Sequence, residues 1–428
     1  ILHSDDRVIP AYRIITDEVK DAGAVIIQQL YHVGAHGDSD LSFAPHWSPS
    51  GGPSYHDSDG SHAMTGAEVE ELLEAHVAAA VRAKAAGFQG VEVWGAYHSL
   101  VDQFWTPWSN QRTDQWGGGL EGRTRFSREL IEHVRRACGE EFIVGLAVSY
   151  STAYEVTLGA EALCEILDLH DRTGHVDYVT VGAGSYLEFE AIIPPFTHAE
   201  KLTTPLTQQL KGVLKHAVVT SEAGVRTPEN GEAIIASGLA DLVSIVRGQI
   251  ADPHLARKVK EGRAEDVRGC ISCNQMCWGR RSRDYWISCL INPSAGREFE
   301  WGGDRFVASP APKDVLVIGA GPAGLEAARA AAERGHRVEI VEALPVVGGQ
   351  FRLAGMQPRR GQILELMDWY ERQFERLGVR LRLNTFLDDQ ELADHPASVV
   401  VVATGSLPDE TGFQRWVPSE ASLLGIEA

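Results

Sequence analysis

Between residues 24 and about 262 a short apolar strand, a loop and an amphipathic helix recur in that order, and this alternation limits the fold more than any other feature. The pattern predicts strands over 24–30, 90–94, 142–149, 176–181, 217–221 and 242–246. Helices are predicted near 66–87, 121–138, 160–173, 204–214, 228–237 and 252–261. Thr65, followed three residues on by Glu68, reads as a capping box at the start of the first long helix. Parallel strands need a crossover between them, so the alternation implies an α/β chain built on a parallel sheet. The sheet is either a (β/α)8 TIM barrel or an open doubly wound sheet. Six units are visible where a barrel needs eight, so about two further units are expected ahead of Ile1.

The last two units favour the barrel. Barrels often hold a phosphate in the loops after strands seven and eight. Here those loops read Glu222-Ala223-Gly224-Val225-Arg226 and Val246-Arg247-Gly248. A glycine lets backbone N–H groups approach an anion and an arginine neutralises it, so Gly224, Arg226 and Arg247 are candidate phosphate residues. The plainer reading is two surface arginines near turns.

The repeat breaks at 263. Residues 263–300 carry Cys270, Cys273, Cys277 and Cys289, four of the chain's six cysteines. Soft thiolates select zinc or iron–sulfur. Structural zinc usually takes two C-x2-C pairs, whereas three cysteines at x2 and x3 with a remote fourth fit a 4Fe-4S cluster better. Such a cluster passes single electrons, so a two-electron carrier is expected nearby. Cys138 and Cys164 fall on predicted helices and read as small buried hydrophobes.

Residues 301–313 read as a linker, and 314–428 as a second, Rossmann-like domain. The strand Val315–Ile318 runs into Gly319-Ala320-Gly321-Pro322-Ala323-Gly324 and an alanine-rich helix; a further strand ends at Glu342. Strand, glycines, helix, strand and acid in this order form a dinucleotide fingerprint. The glycines permit the turn and close approach to a pyrophosphate, and the acid takes the ribose hydroxyls. Gly349 and Gln350 can wrap the nucleotide, and a later valine-rich strand ends in Thr404-Gly405.

Composition closes off other classes. The net charge of −20 and the lack of a basic stripe argue against nucleic acid as a partner. No apolar run approaches the roughly 18 residues that span a bilayer, and no secretory signal is visible. Clustered cysteines without an export signal suggest a reducing, cytoplasmic setting. A homo-oligomer is expected.

Barrel, four-cysteine loop and dinucleotide domain in this order resemble the iron–sulfur flavoenzymes that extend the Old Yellow Enzyme barrel. That group includes trimethylamine dehydrogenase and bacterial 2,4-dienoyl-CoA reductase. The resemblance implies FMN in the barrel (residues 1–262), a 4Fe-4S cluster on the cysteine loop, and FAD or ADP in the second domain. It implies that Gln29 approaches the flavin pyrimidine and that Arg247 and Gly224 hold the FMN phosphate. Asp114, in Asn110-Gln111-Arg112-Thr113-Asp114, belongs to a structural motif of the family, and Asn274-Gln275 match the dienoyl-CoA reductase form.

Three departures stand out. Trp94 and Tyr97 occupy positions where the family usually places His, Tyr or Asn. Tyr97 is then a candidate proton or hydrogen-bond donor, and His98 a replacement for the missing histidine. Ala147 stands where an arginine normally faces the flavin. The strands that normally open the barrel, and help hold FMN, are expected ahead of Ile1.

Aromatic residues concentrate around the presumed mouth: Trp94, Tyr97, Trp105, Trp108, Tyr186, Trp278, Tyr285 and Trp286. Loop packing explains at least half. The sharper reading is a box for a methylated ammonium, with Glu188 or Glu190 near the family's active-site acid and Arg280, Arg281 or Arg283 for a substrate carboxylate. The expected function is oxidation of a methylated amine or N-methyl amino acid, such as dimethylglycine or N-methylproline, with electrons leaving through the cluster. The alternative is NAD(P)H-dependent reduction of an activated C=C bond. A third reading is a degenerate electron-transfer subunit.

Overall fold

The computed structural model describes residues 5–37, 39, 43–55, 60–151, 156–301 and 307–406. Residues 302–306 of the expected linker, and the part of the second domain after 406, lie outside the described residues. The chain divides into two compact units: residues 1–248 with 272–274, and residues 249–271 with 275–428.

In the first unit one parallel sheet contains β1 (Ile27–Leu30), β2 (Gly90–Gly95), β3 (Ile143–Tyr150), β4 (Tyr178–Ala183), β5 (Val218–Ser221) and β6 (Leu242–Val243). Each strand pairs with the next in the chain. Among the described residues β1 and β6 are edges, so the ring of a closed barrel is not completed by these six strands. Its longer helices are α1 (Ile9–Asp21), α2 (Gly66–Ala85), α4 (Leu120–Cys138), α5 (Ala160–Asp171), α6 (Thr204–Val213) and α7 (Pro228–Ala236), with the six-residue α3 (Leu100–Trp105) after β2.

The strands read as apolar runs because both faces are covered, as parallel strands require. In β3 six consecutive residues, Val144 to Ser149, are buried. Helix α4 buries Phe126, Leu130, Val134 and Cys138, a three-to-four spacing that turns one face to the core. Thr65 and Glu68 make the reciprocal capping box expected at the start of α2. Cys138 is buried and Cys164 half-buried. The Asn110–Gly118 segment is a brace: Asn110 Nδ2 donates to Phe104 O and Trp116 O, and Asp114 receives the Arg112 guanidinium and the Trp116 N–H.

Polar clamps fix the N-terminal ends of the strands. Buried Arg135 donates to Phe142 O (2.7 Å), Glu140 O (2.9 Å) and His175 O (2.9 Å), and pairs with Asp177 at 2.8 Å. Asp177 in turn accepts the Val144 N–H. Asp171 receives the N–H groups of Lys215, His216 and Ala217 just before β5. The register set at this end puts Ser149 opposite Gly182 at the other, where the chemistry is expected.

In the second unit β7 (Asp314–Ile318), β8 (Arg337–Val341), β9 (Arg380–Arg382) and β10 (Val399–Val402) form a parallel sheet in the order β9-β8-β7-β10. Helix α8 (Pro322–Glu333) crosses from β7 to β8, and α9 (Gly361–Leu377) from β8 to β9. Residues 249–271 belong to this unit: Trp369 Nε1 on α9 donates to Asp266 O at 2.9 Å, and the Arg268 guanidinium lies 4.5 Å over the Trp369 ring.

Candidate active site

After β2 the chain turns through Ala96, Tyr97 and His98 into α3. Tyr97 and His98 both have φ of 62°, the left-handed region that side chains resist. Such residues cost about 1–3 kcal/mol each and persist only where their surroundings hold them. Here Ser149 Oγ accepts the Tyr97 N–H at 2.7 Å, and Asp102 Oδ2 accepts the His98 N–H at 2.8 Å. Gln103 Nε2 donates to His98 O at 2.8 Å. Asp102 is buried, and burial pushes its carboxyl up to about 7 against the hydrogen bonds from Thr106 and His98.

This turn carries Tyr97 inward. Its hydroxyl donates to Glu222 Oε1, just beyond β5, at 3.0 Å. The space exists because residue 182 on β4 is glycine: a Cβ there would lie 2.6 Å from the Tyr97 oxygen. Burial first, then the negative charge of Glu92, push the Glu222 carboxyl above its ordinary range, against hydrogen bonds from Tyr97 and Ser244. Glu92 accepts from Gln29 Nε2 (2.7 Å), from Thr180 Oγ1 (2.8 Å) and from the Tyr178 hydroxyl. Burial, and next the Glu222 charge, hold Tyr97 in its phenol form.

Aromatic rings continue outward from Tyr97. Trp94 meets Tyr97 edge-on at 5.3 Å, and Tyr31 meets Trp94 at 6.2 Å. The Tyr31 and Tyr186 hydroxyls are hydrogen-bonded, and Tyr186 stacks on Tyr55 at 5.2 Å. His36 packs on Tyr186 and Tyr55. The Tyr55 N–H donates to His36 Nδ1, so His36 Nε2 carries the proton shared with His98 Nδ1 at 2.8 Å. His98 Nε2 then donates to Ser109 Oγ at 3.2 Å. Burial lowers His98 to about 4, so it stays neutral at physiological pH. It is a packed hydrogen-bonding residue here. Trp94 Nε1 is buried with no hydrogen-bond partner among the described residues.

The other expected residues fall as follows. Gln29 is spent on Glu92. Gly224 has φ of 82°, and its carbonyl accepts the Lys201 N–H. The Arg226 guanidinium pairs with Glu200, whose other oxygen takes Asn230 Nδ2, so its charge is already met. Arg247 is held by two neutral oxygens, Asn274 Oδ1 (2.5 Å) and Pro194 O (2.9 Å). Of this pair of arginines, Arg247 keeps the charge an anion would need. Glu190 is exposed on the short helix Phe189–Ile192, while Glu188 takes the Ser151 hydroxyl. Trp105 was expected at the mouth. It is instead fully buried, its Nε1 donating to Ser127 Oγ at 2.8 Å, because the turn into α3 faces it to the helix layer. Trp108, Tyr285 and Trp286 are exposed.

In the second unit the glycines do distinct work. Gly319 has φ of 99°, and a Cβ on it would meet Ala403 O at 2.4 Å; one on Gly324 would meet Gly319 O at 1.9 Å. Gly321, at the N-terminus of α8, faces open space. A Cβ on Gly349 would lie 3.5 Å from Gly321 Cα. Glu342 accepts the N–H groups of Ala320 (2.7 Å) and Leu344 (2.9 Å), and Gln350 Nε2 donates to Ser406 O beyond the exposed Thr404 and Gly405. Tight backbone packing around one open glycine fits a pyrophosphate. Cys270, Cys273, Cys277 and Cys289 are half-buried. Among the described residues no three His, Cys, Asp or Glu side chains converge as metal ligands. No helix of the described residues is long and apolar enough to cross a membrane.

The model of the NADH:flavin oxidoreductase / NADH oxidase family matches residues 1–266. The chain belongs to this family. A second model, FAD dependent oxidoreductase, matches residues 314–402. Among relatives of the family, N,N-dimethylglycine/sarcosine dehydrogenase of Chromohalobacter salexigens is 33% identical over 423 residues, 96% of this chain and 60% of that protein. NADH oxidase of Thermoanaerobacter brockii is 35% identical over 407 residues, 94% of this chain and 62% of that one. A solved structure of 2-naphthoyl-CoA reductase superposes with a TM-score of 0.89 at 30% identity, covering 95% of this chain and 63% of its own. The chain thus spans about three fifths of the length of the curated relatives it matches. The Old Yellow Enzyme resemblance is borne out.

Sequence reasoning missed Tyr31, Tyr55, His36 and the acidic role of Glu222. A glutamate inside the apolar strand Gly90–Gly95 was a legible sign that a buried polar network sits there, and Glu92 is its centre. Nothing local marked Glu222 as the partner of Tyr97.

Proposed function

We propose that this chain is part of a flavin-dependent oxidoreductase that oxidises a methylated amine or N-methyl amino acid, of the dimethylglycine or N-methylproline type. The observation that carries the reading is the run of contacting rings Tyr55, Tyr186, Tyr31, Trp94 and Tyr97, the proposed wall of a cation enclosure, with Glu222 behind it. Ring faces attract an alkylammonium, and a buried carboxylate supplies its counter-charge. Bound FMN would supply a hydride acceptor for the C–H beside nitrogen. Gly224 and Arg247 would hold its phosphate, with the Gln29 amide oxygen and the Trp94 N–H as further candidate contacts. The ring faces would centre the cation, and the Tyr97 oxygen keeps lone pairs for the ammonium because its proton is given to Glu222. The product iminium hydrolyses to formaldehyde and the demethylated amine.

The wider architecture belongs to the same proposal. Residues 1–262 are proposed as a partial FMN barrel, although 249–262 pack with the second unit, 263–300 as the iron–sulfur segment, 301–313 as the linker and 314–428 as a partial Rossmann-like FAD or ADP domain. Cys270, Cys273, Cys277 and Cys289 are proposed as ligands of a 4Fe-4S cluster on the strength of their thiolate chemistry and spacing. In this structure these side chains do not converge as metal ligands. Gly319, Gly321, Gly324, Glu342, Gly349, Gln350, Thr404 and Gly405 form the dinucleotide site. Gly324→Val is expected to strip adenine nucleotide from the second unit while barrel flavin stays, because its side chain would overlap Gly319 O. Nucleotide extracted from the denatured protein and resolved by chromatography checks this; an unchanged adenine content overturns it.

A second reading, reduction of an activated C=C bond with NAD(P)H, is favoured by the names of two relatives, NADH oxidase and 2-naphthoyl-CoA reductase. Anaerobic absorbance titration of the full-length, reconstituted protein separates the two. Flavin bleaching by dimethylglycine or N-methylproline, with formaldehyde released, supports the amine reading. Bleaching by NADPH alone sinks it.

A further inference from the structure

We infer that Tyr97 and Glu222 form a proton relay that takes the N–H proton from an ammonium substrate, which makes Glu222 the residue that lets this site work on amines in their protonated form. The inference rests on the proposed amine reading and adds a base to it. An N-methylamine is protonated at neutral pH, and its C–H bond yields hydride only once the nitrogen lone pair is free.

The geometry supplies the route. The Tyr97 ring, buried at the inner end of the run of rings, meets Trp94 at 5.3 Å, and its hydroxyl donates to Glu222 Oε1 at 3.0 Å. When the substrate N–H bond breaks, its proton forms a new bond to the Tyr97 oxygen. The phenolic proton leaves that oxygen at the same time for Glu222 Oε1. Tyrosine ends as it began, the amine becomes neutral, and Glu222 becomes a carboxylic acid; no electrons move in this step. The transfer turns a buried plus–minus pair into two neutral groups, which a dry interior favours. Burial, together with the charge of Glu92, makes Glu222 a stronger base than an ordinary carboxylate. Ser244 supplies a second donor to Glu222, so the carboxylate is held in one place. Glu92, by contrast, is occupied by Gln29, Thr180 and Tyr178 and has no route to the enclosure through Tyr97.

Titratable groups around the relay are Glu92, Tyr178, Tyr186, Tyr97 itself and Asp102, which holds the Tyr97–His98 turn; the three tyrosines stay protonated through neutral pH. The part of the acid limb that Glu222→Gln removes therefore reports Glu222. Wild-type kcat/KM should fall as pH drops through a value above the usual carboxylate range.

The experiment compares full-length wild type, Glu222→Gln and Tyr97→Phe with dimethylglycine across pH, after checking flavin content and circular dichroism. Glu222→Gln is expected to lose that acid limb and about 10²–10³ of kcat/KM at pH 7, recovering as pH approaches the amine's own pKa. Tyr97→Phe should follow it. Binding of tert-butylamine, which has no hydrogen on the carbon beside nitrogen, gives a readout free of turnover. Its calorimetric Kd at pH 7 should weaken roughly 30-fold or more in Glu222→Gln. Amine oxidation by a Glu222→Gln enzyme that keeps the wild-type acid limb overturns the relay alone. A wild type that neither oxidises dimethylglycine nor binds tert-butylamine overturns the amine reading and the relay together.

Discussion

Replacing Trp94 and Tyr186 together by leucine is expected to lower kcat/KM for a methylated amine about a thousand-fold. Each ring facing a desolvated cation is worth about 2 kcal/mol, so two contribute about 4 kcal/mol, or close to three decades. The choice of rings follows from the contacts. Trp94 bridges Tyr31 and Tyr97, while Tyr186 is bonded to Tyr31 and stacked on Tyr55, so removing both opens the enclosure on two sides. The relevant comparison is chemical reduction of the bound flavin by dithionite in the same double variant, which needs no cation cage and should change little. Anaerobic kinetics with both reductants make the measurement. Equal losses for the two, or a loss below tenfold for the amine, would mean the rings only pack the loops.

The second large effect is on stability. Arg135→Met is expected to lower the midpoint of thermal unfolding by roughly 10 °C. Arg135 lies buried at the N-terminal end of the sheet and satisfies three carbonyls together with Asp177. Removing the guanidinium strands three carbonyls, while the Asp177 carboxylate is nearly half exposed and keeps the Val144 N–H; the carbonyls together cost about 3–5 kcal/mol. For a unit of this size each kcal/mol is about 2–4 °C. The loss should reach the active site, because the clamp ties the starts of β3 and β4 whose far ends carry Ser149 and Gly182. Those two residues seat Tyr97. Circular dichroism during heating, followed in parallel by flavin release, checks both parts. A midpoint within 2–3 °C of wild type would show that the clamp is dispensable.

Much of the architecture was legible from local pattern. The strands at 90–94 and 142–149 appear as Gly90–Gly95 and Ile143–Tyr150, and the Thr65 cap forms as read. Helix α1, IPAYRIITDEVKD, escaped notice: Ile9 and Tyr12 pack only partly on the core, and Ile14 and Ile15 are exposed. Helix α3 is only six residues long, and all of them are buried. Such a segment has no exposed face to produce a period, and it is held from outside by the Tyr97–His98 turn. Arg226 misled for a related reason. A loop arginine looks like an anion ligand until the chain brings Glu200 to it.

The sequence by itself determined the parallel α/β plan, the order of the modules, the glycine fingerprint and the cysteine spacing. Each rests on strand and helix periodicity, backbone freedom or ligand spacing within a few tens of residues. Only the tertiary structure decided which acids and rings meet. Tyr97 and Glu222 are 125 positions apart, and Tyr31 and Tyr186 are 155 apart. Their meeting depends on the register of strands pinned at the opposite end of the sheet, and no local pattern in the chain encodes that register.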